Sequence, residues 1–213
     1  MSTIALSYYY FIRHAQTDWL PGDPAHNRYQ SRTDVPLSEH GRQEARDLAV
    51  RLRDVPFLAA FASDLSRGAE TARLMLDGRE VPLVLDLDLR EIDVGEWEGL
   101  TGEQVLARYP ALAAQRNVYP LRFAPPGGEA IADAAKRFRR LLARASHSGR
   151  DGNVLIVSHQ NALRVLIALL LRLPLNYHRR FRVDPASLSI VQADGPFGSL
   201  VLLNDTSHLG KRP

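Results

Sequence analysis

An aromatic run, Tyr8-Tyr9-Tyr10-Phe11-Ile12, ends abruptly in Arg13-His14-Ala15-Gln16-Thr17. Within five residues the chain offers a fixed cation, an imidazole, an amide and a hydroxyl. An apolar run bounded in this way predicts a buried strand. Ligands of open α/β sheets sit at the carboxyl ends of such strands. The same pattern recurs three times. An apolar stretch at 57–62 is followed by Ser63 to Arg67, a strand at 81–85 leads to Glu91, and one at 153–157 ends in Ser158-His159-Gln160-Asn161. Topology would then gather Arg13, His14, Arg67, Glu91 and His159 into a positive pocket with one carboxylate. Such a pocket suits a phosphoryl group, whose transition state spreads charge over its equatorial oxygens. Backbone N–H groups opening the helix after His159 would add anion donors. A neutral His14, its other ring nitrogen held by an acceptor, can attack phosphorus. Glu91 can protonate the leaving oxygen and then take a proton from water.

Each residue has an ordinary explanation when taken singly. A histidine at a strand end is often structural, and an arginine near a helix start often forms a weak surface ion pair. Asp93, Glu96 and Glu98 make Glu91 one member of an acidic loop. A His/carboxylate set can also hold a metal. The seven histidines, however, show neither His-x₃-His helix spacing nor a compact cluster, so no metal is expected.

Stepping along the chain, residues 18–31 are rich in Pro, Gly, Asp and Asn and predict a loop rimming the site. Ser38 is the expected N-cap of a helix with apolar Leu48 and Leu52 four apart. A helix is expected at 68–76 and a short one at 101–109, stopped by Pro110. Residues 109–129, with Pro120, Pro125, Pro126, Gly127 and Gly128, predict an irregular insert near the site. The pattern Ile131, Ala134, Phe138, Leu141, Leu142 predicts a long amphipathic helix over 129–147. A further helix at 162–171 and closing strands at 186–192 and 199–203 complete the chain. Alternating strands and helices argue for an α/β fold, three layers with a mostly parallel central sheet. Residues 1–213 read as one domain.

The 213 residues suffice for a sizeable core, and 45% hydrophobic with 24% charged residues is ordinary for a globular protein. No cysteine is present, which excludes a disulfide scaffold, a zinc-thiolate site and a thiol nucleophile, and fits a reducing, cytoplasmic setting. No run of about 18 apolar residues suggests a membrane span, and the N-terminus lacks the pattern of a signal peptide. Net charge is +3, carried almost wholly by arginine. Arg179-Arg180 and Arg137, Arg139 and Arg140 read as solvated helix faces rather than a nucleic-acid stripe, so no nucleic-acid partner is expected.

Taken in order, these blocks resemble the histidine phosphatase (phosphoglycerate mutase-like) superfamily. Arg13-His14-Ala15-Gln16-Thr17 is similar to its Arg-His-Gly-Glu-Thr signature. Tyr29 to Ser38 with Gly41, Ala62 to Ala72, Leu89 to Gly99 and Val157 to Arg164 resemble its later blocks. The resemblance implies a phosphoglycerate mutase-like fold and His14 as a nucleophile that becomes phosphohistidine. It makes Arg13, Arg67 and His159 holders of the phosphoryl oxygens, and Glu91 the general acid and then base. Thr17 and Gln160 complete the expected phosphate- and substrate-binding set. Neither metal nor cofactor is implied. The chain departs from the family pattern at Ala15, Gln16, Leu20 and Ser31, and has a longer loop at 21–26; these changes are expected where the leaving group would lie.

The reading that follows is a phosphomonoester hydrolase acting on a small phosphorylated metabolite. A cofactor-dependent phosphoglycerate mutase is the alternative. The mutases it resembles carry a larger insert than residues 101–129, so water access is expected here. A non-catalytic phosphoprotein-binding domain would be expected to lose His14 or Glu91. Arg28, Arg32, Arg116 and Arg122 are candidates to meet a second anionic group. Trp19, Tyr119 and Phe123 are candidates to meet an apolar or sugar moiety. His208 is expected near the pocket mouth without a catalytic role.

Overall fold

Alternation along the first strand, β1 (Leu6–Arg13), sets up a core on both sides of a sheet. Tyr9 and Phe11 face one apolar cluster while Ile12 faces the other. Strand β4 (Asn153–Ser158) repeats this, with Val154 and Ile156 on the first side and Leu155 and Val157 on the second. A strand buried on both faces must read as a continuous apolar run. The computed structural model describes residues 6–20, 27–148, 151–194 and 197–210; the expected loop at 21–26 lies outside them.

The remaining elements are α1 (Glu39–Arg51), β2 (Phe57–Ala62), α2 (Ser66–Met75), β3 (Leu83–Leu85), α3 (Gly102–Arg108), α4 (Pro110–Val118), α5 (Ile131–Ser148), α6 (Gln160–Leu170), β5 (Leu188–Asp194) and β6 (Phe197–Asp205). The sheet order is β3-β2-β4-β1-β5-β6. The first four strands run parallel, and β5 and β6 add antiparallel edges. Helices α5 and α6 cover one face, through Ala134, Phe138, Leu141 and Leu166. Helices α1 and α2 cover the other, through Ala45, Leu48, Ala72 and Met75. A fully buried side chain such as Phe138 contributes roughly 1.5–3 kcal/mol. The mostly parallel α/β/α architecture is thus as expected.

The register decides where chemistry can occur. Arg13 pairs with Ser158 and Ala62 with Val157, so three strands end level. His14, Ser63 and His159 therefore leave the sheet side by side. Ser38 caps α1 by accepting from the Gly41 N–H at 3.0 Å. A Cβ at Gly41 would stand 2.1 Å from the Gln16 carbonyl oxygen, so glycine lets α1 close against the turn after His14.

Residues 109–129 are not irregular throughout. Pro110 opens α4 at its first turn, where a missing N–H costs nothing. It ends one helix and begins the next. Only the stretch after α4, through Pro125 and Gly128, is built of turns.

Candidate active site

The two histidines lie with ring centroids 5.0 Å apart, both buried. His14 Nδ1 is 2.8 Å from the Ala15 carbonyl oxygen. A carbonyl only accepts, so Nδ1 carries the proton and Nε2 keeps the lone pair. Burial first, then the charges of Arg67 and Arg13, push the His14 pKa well below the usual histidine range. His159 is wired differently. Arg67 Nε donates to its Nδ1 at 3.3 Å, and a guanidinium only donates, so His159 Nε2–H donates to Ser63 Oγ at 2.8 Å. Its pKa is also pushed well down, by burial and then by Arg67.

Arg67, in the first turn of α2, is fully buried. Its Nη1 donates to Thr33 O at 2.9 Å and its Nη2 to Ser31 O at 2.8 Å. The loop supplying those carbonyls is gathered on one carboxylate. Glu98 accepts from the N–H groups of Ser31, Arg32 and Thr33 and from the Ser31 hydroxyl. Ser31 Oγ also accepts from the Val94 N–H at 3.2 Å. Arg13 donates through Nη1 to Val183 O at 2.9 Å, while its buried Nε has no partner. Burial lowers both arginine pKa values to about 10, partly offset by Glu91, so both remain charged at neutral pH.

Glu91 lies at the N-terminus of α6. Its Oε1 accepts from the N–H groups of Ile92 at 2.8 Å and Ala162 at 3.0 Å, and its Oε2 from that of Asn161 at 3.0 Å. A helix N-terminus is a natural seat for a carboxylate. The loop bearing Glu91 is held by Arg137 of α5, which donates to the carbonyls of Asp88, Arg90 and Glu91. Arg137 is clamped in turn by Glu129 through two bonds of 2.9 and 2.8 Å. This corrects the expectation of a solvated face: Arg137 is 8% exposed, because loop carbonyls with no ladder partner need donors.

These groups open into a cleft of about 290 Å³ lined by Arg13, His14, Glu91 and Gln160 on its floor. Leu20, Arg28, Tyr29, Gln30, Arg116, Arg164 and Arg179 line it further out. Arg67 and His159 are packed against the floor from behind, through the contacts above. Thr17 does not line the cleft; it is fully buried and donates to Gln30 Oε1 at 3.3 Å, so it supports a lining residue. Gln160 reaches the cleft while its Nε2 donates to Val183 O at 3.3 Å.

Of the four arginines expected near a second anionic group, Arg28 and Arg116 line the cleft. Arg32 is paired with Asp93 at 3.0 Å, and Arg122 is exposed elsewhere. Arg164 and Arg179 take their places. Arg179 was expected on a solvated face, but a 3₁₀ turn at Leu175–Arg180 delivers it to the rim. A small adjoining pocket of about 60 Å³ holds Tyr29, Trp97 and Phe123. Tyr119 is exposed, Trp19 lies against Gly99, and His208 points away to Ala186 O at 3.0 Å. Among the described departures from the family pattern, Leu20 alone lines the cleft; Ala15 is buried in the core and Ser31 in the Glu98 network. Among the described residues, no group of three or more His, Asp or Glu is placed to hold a metal, and no helix is long and apolar enough to cross a membrane.

Comparison with known proteins matches this geometry to a family. The profile of the histidine phosphatase superfamily (branch 1) matches residues 9–206. A 2,3-bisphosphoglycerate-dependent phosphoglycerate mutase 2 of Gloeobacter violaceus is 33% identical, over 90% of this chain and 89% of its own. An adenosylcobalamin/alpha-ribazole phosphatase of Salmonella typhimurium is 32% identical, over 92% of this chain and 95% of its own. The solved mycobacterial glucosyl-3-phosphoglycerate phosphatase superposes with a TM-score of 0.83 at 30% identity, over 94% of this chain and all of its own.

Proposed function

Because the chain belongs to the histidine phosphatase superfamily, we propose that it is a phosphomonoester hydrolase acting on a small phosphorylated metabolite. One observation carries the reading. A buried imidazole is fixed by a backbone carbonyl so that its Nε2 lone pair is free, with its pKa pushed down, beside an arginine with an unpartnered N–H. Relatives named as phosphatases of small metabolites support the substrate class.

In the first step His14 Nε2 attacks phosphorus, the ester P–O bond breaks, and Glu91 in its acid form gives its proton to the departing oxygen. Arg13 and Arg67 balance the charge that spreads over the equatorial oxygens. His159 is a neutral support that aims Arg67 Nε. In the second step Glu91 takes a proton from water, the water oxygen bonds to phosphorus, and the P–N bond breaks. Inorganic phosphate leaves and His14 returns to its neutral form. In this reading residues 1–213 act as one cytoplasmic catalytic domain, and no metal or cofactor takes part.

The test is phosphate release from sugar phosphates, nucleotides and phosphoglycerates, with and without 2,3-bisphosphoglycerate. A hydrolase releases phosphate from at least one monoester without the bisphosphate. Isomerisation of a phosphoglycerate that needs the bisphosphate and yields no net phosphate would replace this reading with the mutase one.

A further inference from the structure

Three arginines from three separate elements meet on the outer wall of the cleft: Arg116 of α4, Arg164 of α6 and Arg179 of the turn after it. Ten other arginines of the chain stand within 4.0 Å of a carboxylate. None of these three does so among the described residues. Two of them are held in place. Arg116 donates to the Tyr29 hydroxyl at 2.8 Å and lies 5.5 Å from the Trp97 ring centroid. Arg164 donates to Phe181 O at 2.7 Å and to Asn161 Oδ1 at 3.3 Å.

Like charges gathered in a half-buried place with no carboxylate in direct contact repel one another. Burial depresses the pKa of both Arg164 and Arg179; Glu91 and then Asp184 partly offset this at Arg164, while Arg116 depresses each further. Among the described residues Glu91 is the sole carboxylate lining the cleft, against five arginines, and its oxygens are engaged by backbone N–H groups. Gln30, also in the lining, keeps a buried Nε2 without a partner. Fixed forks and an unpartnered N–H are a binding surface for oxyanions.

We propose that Arg116, Arg164 and Arg179 form a subsite for a second anionic group, carboxylate or phosphate, on the body of the substrate. This rests on the hydrolase reading for the position of the first phosphoryl group. The substrate class thereby narrows to phosphomonoesters with a further negative charge. Neutral sugar phosphates and cationic phosphoamines fit the subsite poorly.

The test is equilibrium binding of phosphonates, whose C–P bond is not hydrolysed. Propylphosphonate, 3-phosphonopropanoate, propane-1,3-diphosphonate and 3-aminopropylphosphonate share one head and differ only in the tail. The anionic tails are expected to bind at least about tenfold tighter than the methyl tail, about 1.4 kcal/mol. The ammonium tail is expected to bind weakest. The carboxylate and diphosphonate arms distinguish the two sources of negative charge. In Arg179→Met, at the exposed rim, and in Arg116→Met, the ratio of anionic to methyl tails should fall toward unity. Tails that bind alike, or a preference that survives both substitutions, would overturn the subsite. Hydrolysis of p-nitrophenyl phosphate by the same preparations separates the two claims. Turnover without tail preference removes the subsite and keeps the hydrolase; tail preference without turnover does the reverse.

Discussion

On the floor of the cleft, Arg67 spends donors on His159, Ser31 O and Thr33 O, and the loop carrying those carbonyls is tied to Glu98. Glu91 is held by three backbone N–H groups, and its loop by Arg137 and Glu129. On the outer wall, Arg116 and Arg164 rest on neutral oxygens and rings, and neither they nor Arg179 has a carboxylate within 4.0 Å among the described residues. The floor is therefore organised before substrate arrives, as a preorganised electrostatic site must be. The wall leaves charge for the ligand to answer. The nearby acidic residues sort the same way: Glu98 and Asp93 are wiring for the 31–33 loop, whereas Glu91 alone reaches the cleft.

The largest effect that separates acid chemistry from simple charge balance is expected in Glu91→Gln. Hydrolysis of alkyl phosphates, whose leaving oxygen needs a proton, should fall by about 10²–10⁴. The loss should be much smaller for p-nitrophenyl phosphate. Equal losses for both would show that Glu91 does not donate the proton.

A smaller effect is expected one shell out, and it differs between the two clamps. Glu98→Gln loosens the loop that holds Arg67, so kcat/KM should drop roughly tenfold, or about 1.4 kcal/mol, for good and poor leaving groups alike. Arg137→Met loosens the Glu91 loop, so its loss should grow as the leaving group worsens. Leaving-group slopes that are the same in the two variants would contradict this division of labour.

The smallest effect concerns pH. His14 and His159 are kept unprotonated in the fold, with pKa values pushed well below that of free imidazole, about 6.5. Below that value the unfolded chain binds protons that the folded one refuses, so stability rises with pH and is lost as pH falls from about 6.5 toward the folded values. Tm measured from pH 7.5 down to 5 should fall, and less steeply in His14→Asn. A slope unchanged by that substitution would show that the floor does not depress the ring.

The floor was far more legible in the sequence than the wall. Strands announce themselves by apolar runs, and Arg13, His14 and His159 directly follow such runs, so register alone brings them together. Glu91 stood out as a carboxylate beyond a strand, though β3 itself is only three residues long. Arg137 carried no local signal, because its partners are loop carbonyls more than forty residues away. Its carboxylate partner, Glu129, lies eight residues earlier, just before α5 begins. Arg164 and Arg179 were hidden for a related reason: a helix face and a 3₁₀ turn reveal their orientation only once packed. Thr17 was placed one layer too far forward, since proximity in sequence to His14 does not say which way a side chain turns. In α4, Pro110 was read as a stop although the same residue is a good first helical position.

The central claim is that His14 carries the phosphoryl group between the two steps, and phosphoenzyme trapping tests it most directly. A turning-over sample with labelled phosphomonoester is quenched in alkali, where phosphohistidine survives, and the label is mapped by peptide. The account predicts an acid-labile phosphoryl group on the peptide containing His14, absent in His14→Ala along with turnover. Label on another residue, or undiminished turnover by His14→Ala, would contradict it.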